Sequence, residues 1–357
     1  MKSEDSQLEV VIACHSPERA LGRAVESVLL GNAGLASATV VAHNVPVREL
    51  AKNLPERLSR RVKWLSLQDG IASPAGPFSL GISQVTSPWL AVLGSDDYLQ
   101  SGAVHEWLRR SHGTDAVATR LVHDNGQPVR TPPVRPLPWE RRDAVKDRLY
   151  YRSAPLGAIR TGFVRDRNLR MDPGLATGED LRFSTELWTT GRVAVQSSGP
   201  GYVIGSDAAD RVTMRLAPLE EELQHVSEAW RVGGWAHRLN DPERTALATK
   251  YLRTHFFGAV HYRSIENHWL PGDREALAVA IALVLESAPE AAAPLSLAER
   301  RLLDALVDPS TSASEVAQLS KARRRFGSPA TLVPRDPRYI LHREAPLRFM
   351  GASALVR

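Results

Sequence analysis

Trp89-Leu90-Ala91-Val92-Leu93-Gly94-Ser95-Asp96-Asp97-Tyr98 is the stretch that decides the fold. Its apolar run reads as a short strand buried on both faces, ending on a glycine, a serine and two adjacent carboxylates. Acids at the carboxyl end of a buried strand stand where open α/β sheets bind their ligands. A second acidic pair, Glu179-Asp180, follows Gly178 where a helix is expected to begin, with Phe183, Leu187 and Trp188 as its apolar side. One carboxylate site beside a cation and another beside a reacting hydroxyl suit transfer of a group from a phosphorylated donor.

Upstream, Leu8 to Ala13 is β-rich, and Ser16-Pro17-Glu18 predicts a helix start: a capping hydroxyl, proline at the first position and an acid in the first turn. Leu21, Val25 and Val28 recur at helical spacing. Further strands are expected at 38–42 and 62–67, so strands and helices alternate as in a parallel sheet with right-handed crossovers. Downstream, one strand is expected within 115–122, a hairpin turn at Asn125-Gly126, a proline-rich stretch from Thr131 to Pro138, and a short strand at 193–195. An Arg-dense stretch covers 135–170, and 199–210 reads as a loop. From Pro218 onward apolar residues recur at helical spacing over 219–231, 243–267, 274–287, 297–306 and 314–325. The expected organisation is an α/β domain over residues 1–217 and a helical domain over 218–357.

The 357 residues are 43% hydrophobic and 24% charged, which excludes a disordered chain. A net charge of +5 favours phosphate-bearing or membrane-surface partners, leaves peripheral membrane contact open, and comes with no nucleic-acid motif. Cys14 is the only cysteine, so an intrachain disulfide is excluded and a reducing compartment is expected. The polar Met1–Gln7 opening and the shortness of the longest apolar run, 276–285, add to the expectation of a cytoplasmic protein. No glycine-rich phosphate loop, nucleophile elbow or zinc spacing occurs.

Taken together, Val10-Val11-Ile12-Ala13-Cys14-His15, Leu93-Gly94-Ser95-Asp96-Asp97-Tyr98-Leu99 and the run from Leu169 to Phe183 make residues 8–213 resemble the family 2 inverting glycosyltransferases. The resemblance implies an α/β, Rossmann-like nucleotide-diphospho-sugar-binding domain (GT-A fold); the C-terminal α-helical domain lies outside it and is expected from helical spacing alone. It implies transfer of a sugar, hexosyltransferase-like, from a nucleotide-diphosphate donor to a hydroxyl of a glycan, polymer or small molecule. Asp180 then matches the general base, with Glu179 holding the acceptor or orienting the helix. Mg²⁺ or Mn²⁺ would be held by Asp96, Asp97 and Asp207, and the donor contacted by Ala13, His15, His43, Asn44, Ser95, Arg211 and Thr213. Oligomeric state is left open, with a homo-oligomer allowed.

Departures from the family pattern concentrate on the donor side. Gly94 stands where the family carries an aspartate, Ala42-His43-Asn44 where acids read the base, and Phe78-Ser79 where an Arg-Asn pair is common. These favour a rival reading, a catalytically silent protein of the same fold that binds a glycan or a partner enzyme. Without the resemblance, Asp96-Asp97 would pass for a turn or a helix cap, and Glu179-Asp180 for first-turn acids stabilising a helix dipole by about 0.3–1 kcal/mol. His237, His255, His261 and His268 read as surface or core polar residues, Trp230, Trp235 and Trp269 as core or interface aromatics, and Lys321–Arg325 as a solvated helix end.

Overall fold

The computed structural model describes residues 6–129, 134–135, 142–206, 217–266 and 268–355. Its strands are β1 (Leu8–Cys14), β2 (Ala36–His43), β3 (Val62–Leu67), β4 (Trp89–Gly94), β5 (Tyr98–Leu99), β6 (Ala116–Ala118), β7 (Leu121–His123), β8 (Gly157–Arg160), β9 (Val193–Val195) and β10 (Tyr202–Ile204). Among the described residues, one sheet has the order β3-β2-β1-β4-β8-β6-β9, and β5, β10 and β7 form a small second sheet. The first four strands are parallel, with Val10 opposite both Ala38 and Ala91. Because β2 and β3 lie on one side of β1 and β4 on the other, the sheet switches direction between the carboxyl ends of β1 and β4, where open α/β sheets form a ligand crevice.

Alternation along β1 divides the core. Val10 and Ile12 face the Leu21–Leu29 helix, with Val25 and Val28, while Val11 faces the opposite layer. That second layer holds Ile82, Ile159, Phe183, Leu187 and Trp188, and runs without interruption into Val226, Phe257, Val260, Ile281 and Leu302. Residues on both sides of position 217 therefore share one apolar cluster. No described helix is long and apolar enough to cross a membrane.

Three local expectations are corrected. The helix after β1 begins at Leu21, because the Ser16 hydroxyl accepts from the Glu18 amide at 3.1 Å and the Arg19 amide donates to the Ser16 carbonyl at 3.3 Å, turning 16–19 into a tight turn. The segment expected as one strand over 115–122 divides into β6 and β7, which enter different sheets; at the break, buried Thr119 accepts the Trp107 indole N–H at 2.9 Å. The long helix expected over 243–267 is three pieces: Asp241–Lys250, a π-helical turn at Tyr251–Phe256, and Phe257–Glu266.

Candidate active site

The carboxyl ends of β1, β2 and β4 are in register, Ala13 opposite Gly94 and Cys14 opposite Ala42, so the residues after these strands meet at one edge of the sheet. The acids after β4 fold back over Gly94. A Cβ there would stand 2.6 Å from Asp97 Oδ2 and 3.2 Å from Asp96 Oδ1, so this arrangement needs the glycine. Asp97 accepts the Tyr202 hydroxyl on one oxygen and the Gly205 amide, at 2.9 Å, on the other. Burial, reinforced by Asp97, pushes the Tyr202 hydroxyl well above its ordinary pKa, so it remains a donor. Asp96 Oδ2 lies 3.1 Å from Arg19 Nη1, and Arg23 donates to the Asp96 carbonyl while stacking 4.8 Å over the Tyr98 ring.

A cation at Asp96 and Asp97 would share its carboxylates with protein partners. Both Asp97 oxygens carry hydrogen bonds, Asp96 faces a guanidinium, and among the described residues no three His, Cys, Asp or Glu side chains form a cation site. Asp207, Arg211 and Thr213 lie outside the described residues.

After β2, buried His43 places Nε2 at 2.9 Å from Asp69 Oδ1. Asn44, at φ +56°, accepts from the Asp69 and Gly70 amides at 3.1 and 3.0 Å, tying the loop after β2 to the loop after β3. The Ile71 amide and His43 hold the Asp69 carboxyl below its usual range. An acid therefore does stand beside His43 and Asn44, where the resemblance led acids to be expected. The sequence reading missed Asp69, although its place after β3 mirrors that of Asn44 after β2. Ser95 is buried, Ala13 half-buried and His15 exposed along the same edge.

Glu179 and Asp180 precede the Leu181–Thr190 helix. Asp180 is its N-cap residue, yet its side chain makes no capping bond, so helix capping does not account for it. Burial and the Asp180 charge raise Glu179 to about 8. Burial raises Asp180 to about 6, and Lys250 pulls it back down. The preceding Gly178 has φ +76°, and a Cβ there would meet the His225 ring at 2.7 Å, so this loop rests directly on His225.

Beneath that loop lies a cluster drawn from the helical region. Lys250 is fully buried with Nζ 2.6 Å from His255 Nε2; the His255 and His225 rings are 4.8 Å apart, and Tyr251 stands 4.8 Å from His255 and 5.5 Å from His225. Burial lowers His225 to about 3 and takes His255 well below its ordinary value, leaving both neutral. Burial lowers Lys250 to about 7 against the upward pull of Asp180. The sequence reading gave Lys250 and His225 no role. Lys250 and His255 are five apart, on different faces of an α-helix but stacked in a π-helical turn. Trp230 and Trp235 are buried in the shared core, and Arg323, read as solvated, packs 4.7 Å over the Phe257 ring.

No protein-family model matches the chain, and no curated protein sequence does. Among solved structures it is similar to residues 1–349 of S. aureus TarS in complex with UDP-GlcNAc, with a TM-score of 0.69 and 15% identity, covering 89% of this chain and 91% of that one. The same TarS fragment in complex with UDP gives a TM-score of 0.64 at 16% identity and the same coverage. Against S. aureus TarS the TM-score is 0.63 at 15% identity, covering 89% of this chain and 55% of that one. The expected fold, a GT-A type α/β domain with a helical C-terminal region, is the fold of this chain.

Proposed function

We propose that this chain is an inverting glycosyltransferase that moves a sugar from a uridine-diphosphate donor to an acceptor hydroxyl. The carrying observation is Asp180: a half-buried carboxylate at a helix start, without a capping bond, facing the charge of Lys250. The acceptor oxygen attacks the anomeric carbon on the face opposite the diphosphate, and its proton passes to Asp180. The bond from that carbon to the diphosphate breaks with its electron pair going to the diphosphate oxygen, and the configuration inverts. Glu179, protonated at neutral pH, donates a hydrogen bond to the acceptor.

The donor would lie in the crevice between β1 and β4, along Ala13, His15 and Ser95, with the base end toward His43, Asn44 and Asp69. TarS in complex with UDP-GlcNAc supports the choice of a uridine donor. The helical region would complete the acceptor side, since Lys250 and the histidines come from it. The reaction would run in the cytoplasm, consistent with the free thiol of buried Cys14. No step is assigned to the divalent cation.

The test is incubation with a panel of UDP-sugars and hydroxyl acceptors, reading UDP release and the anomeric configuration of the product by NMR. Inverted product supports the reading. Retained configuration would remove Asp180 as sole base, and UDP binding without turnover on any acceptor would favour the silent rival.

A further inference from the structure

We propose that Lys250 is a positioning residue for the candidate base: its buried ammonium, held by His255, keeps Asp180 in the carboxylate form that accepts a proton. This rests on the reading of Asp180 as the base and extends it to groups that no motif identifies.

A fully buried ammonium is costly unless paired and hydrogen-bonded. Among the described residues no ion pair joins Lys250 to a carboxylate, and its hydrogen-bond partner is the neutral His255 ring at 2.6 Å. The Tyr251 ring, 5.3 Å from Nζ, gives it a cation–π face. The carboxylate whose charge acts on Lys250 is Asp180, and the effect is mutual. Glu179 faces Asp180, while His225, Tyr251 and His255 face Lys250. With both histidines neutral, the ammonium is the cation of this group below about pH 7, where Lys250 holds its proton.

The geometry also explains the separation. Gly178 lets the acidic loop sit on His225, whose ring lies 4.8 Å from that of His255, the partner of Lys250, so the loop and the ammonium meet through these rings. At that spacing Lys250 acts on Asp180 by its field and leaves the carboxylate oxygens to the acceptor hydroxyl. A direct ion pair would instead compete for those oxygens.

Two measurements test this. In Lys250→Met the acid limb of the rate–pH profile should move upward by about one pH unit, costing about tenfold in rate near the wild-type limb and little above it. Lys250→Arg, which keeps the charge, should hold the limb in place. Independently of turnover, a cycle of Lys250→Met, Asp180→Asn and the double variant is followed by urea unfolding. At pH 6.5, between Asp180 at about 6 and Lys250 at about 7, the folding constants should depart from multiplicativity by severalfold, and the departure should vanish at pH 4.5 where Asp180 is protonated. An unmoved acid limb, or multiplicative constants at pH 6.5, overturns the proposal. Should Lys250→Met fail to fold, Lys250→Gln carries the same comparisons. Retained turnover in Asp180→Asn would instead sink the base reading, while the unfolding cycle still reports on the pair.

Discussion

Arg19 Nη1 lies 3.1 Å from Asp96 Oδ2, so the carboxylate expected to bind a cation is held by a guanidinium from the turn after β1. Both side chains are shielded, at 8% and 16% exposed, so the pair is screened less than a surface one. Removing divalent cation should therefore weaken UDP binding by less than about tenfold. Isothermal titration in EDTA and in Mn²⁺ measures this. A larger dependence would return Asp96 to the role of metal ligand.

Asp180→Asn should reduce transfer by about 10²–10⁴-fold while UDP affinity stays nearly constant, because the amide keeps the shape but takes no proton. Single-turnover kinetics and UDP titration on the same preparation separate the two effects.

The rate should be bell-shaped in pH. Asp180 is raised to about 6, so the base is increasingly protonated and the rate declines as pH falls below that value. Glu179 is raised to about 8, so above it a second negative charge forms beside Asp180 and the hydrogen-bond donor is lost. Glu179→Gln, which remains neutral, should remove the alkaline limb and keep the acid one. An alkaline limb persisting in that variant would assign it to another group.

Gly178→Ala should destabilise the protein by about 1–3 kcal/mol, since position 178 has φ +76° and the new Cβ would stand 2.7 Å from the His225 ring. Removing the ring relieves only the contact, so His225→Ala should recover part of the loss, leaving the backbone strain. Denaturant midpoints of the single and double variants give both parts.

A chain ending at Ala217 should fail to fold cooperatively, because Phe183, Leu187 and Trp188 share their apolar cluster with Phe257, Val260 and Leu302. Near-ultraviolet circular dichroism and size-exclusion chromatography read the outcome. A monomeric, cooperatively unfolding product would show that residues 1–217 stand alone.

By itself the sequence determined the strands at Leu8, Val62 and Trp89, the helices at Asp273–Ser287, Leu297–Val307 and Ala313–Arg323, and the acids at 96–97 and 179–180. Those features are written in neighbouring residues: apolar runs, helical spacing, and acids at element ends. Only the tertiary structure decided what the acids face. Arg19 meets Asp96 because Ser16 makes a turn in place of a helix cap. Asp69 meets His43 because β2 and β3 are neighbours in one sheet, and Lys250 comes under the Asp180 loop from a helix seventy residues further on, through a π-helical turn that no α-helical period reveals. Short-range periodicity specifies which side of an element is buried; which side chains then meet depends on packing between segments distant in the chain, which that periodicity does not encode.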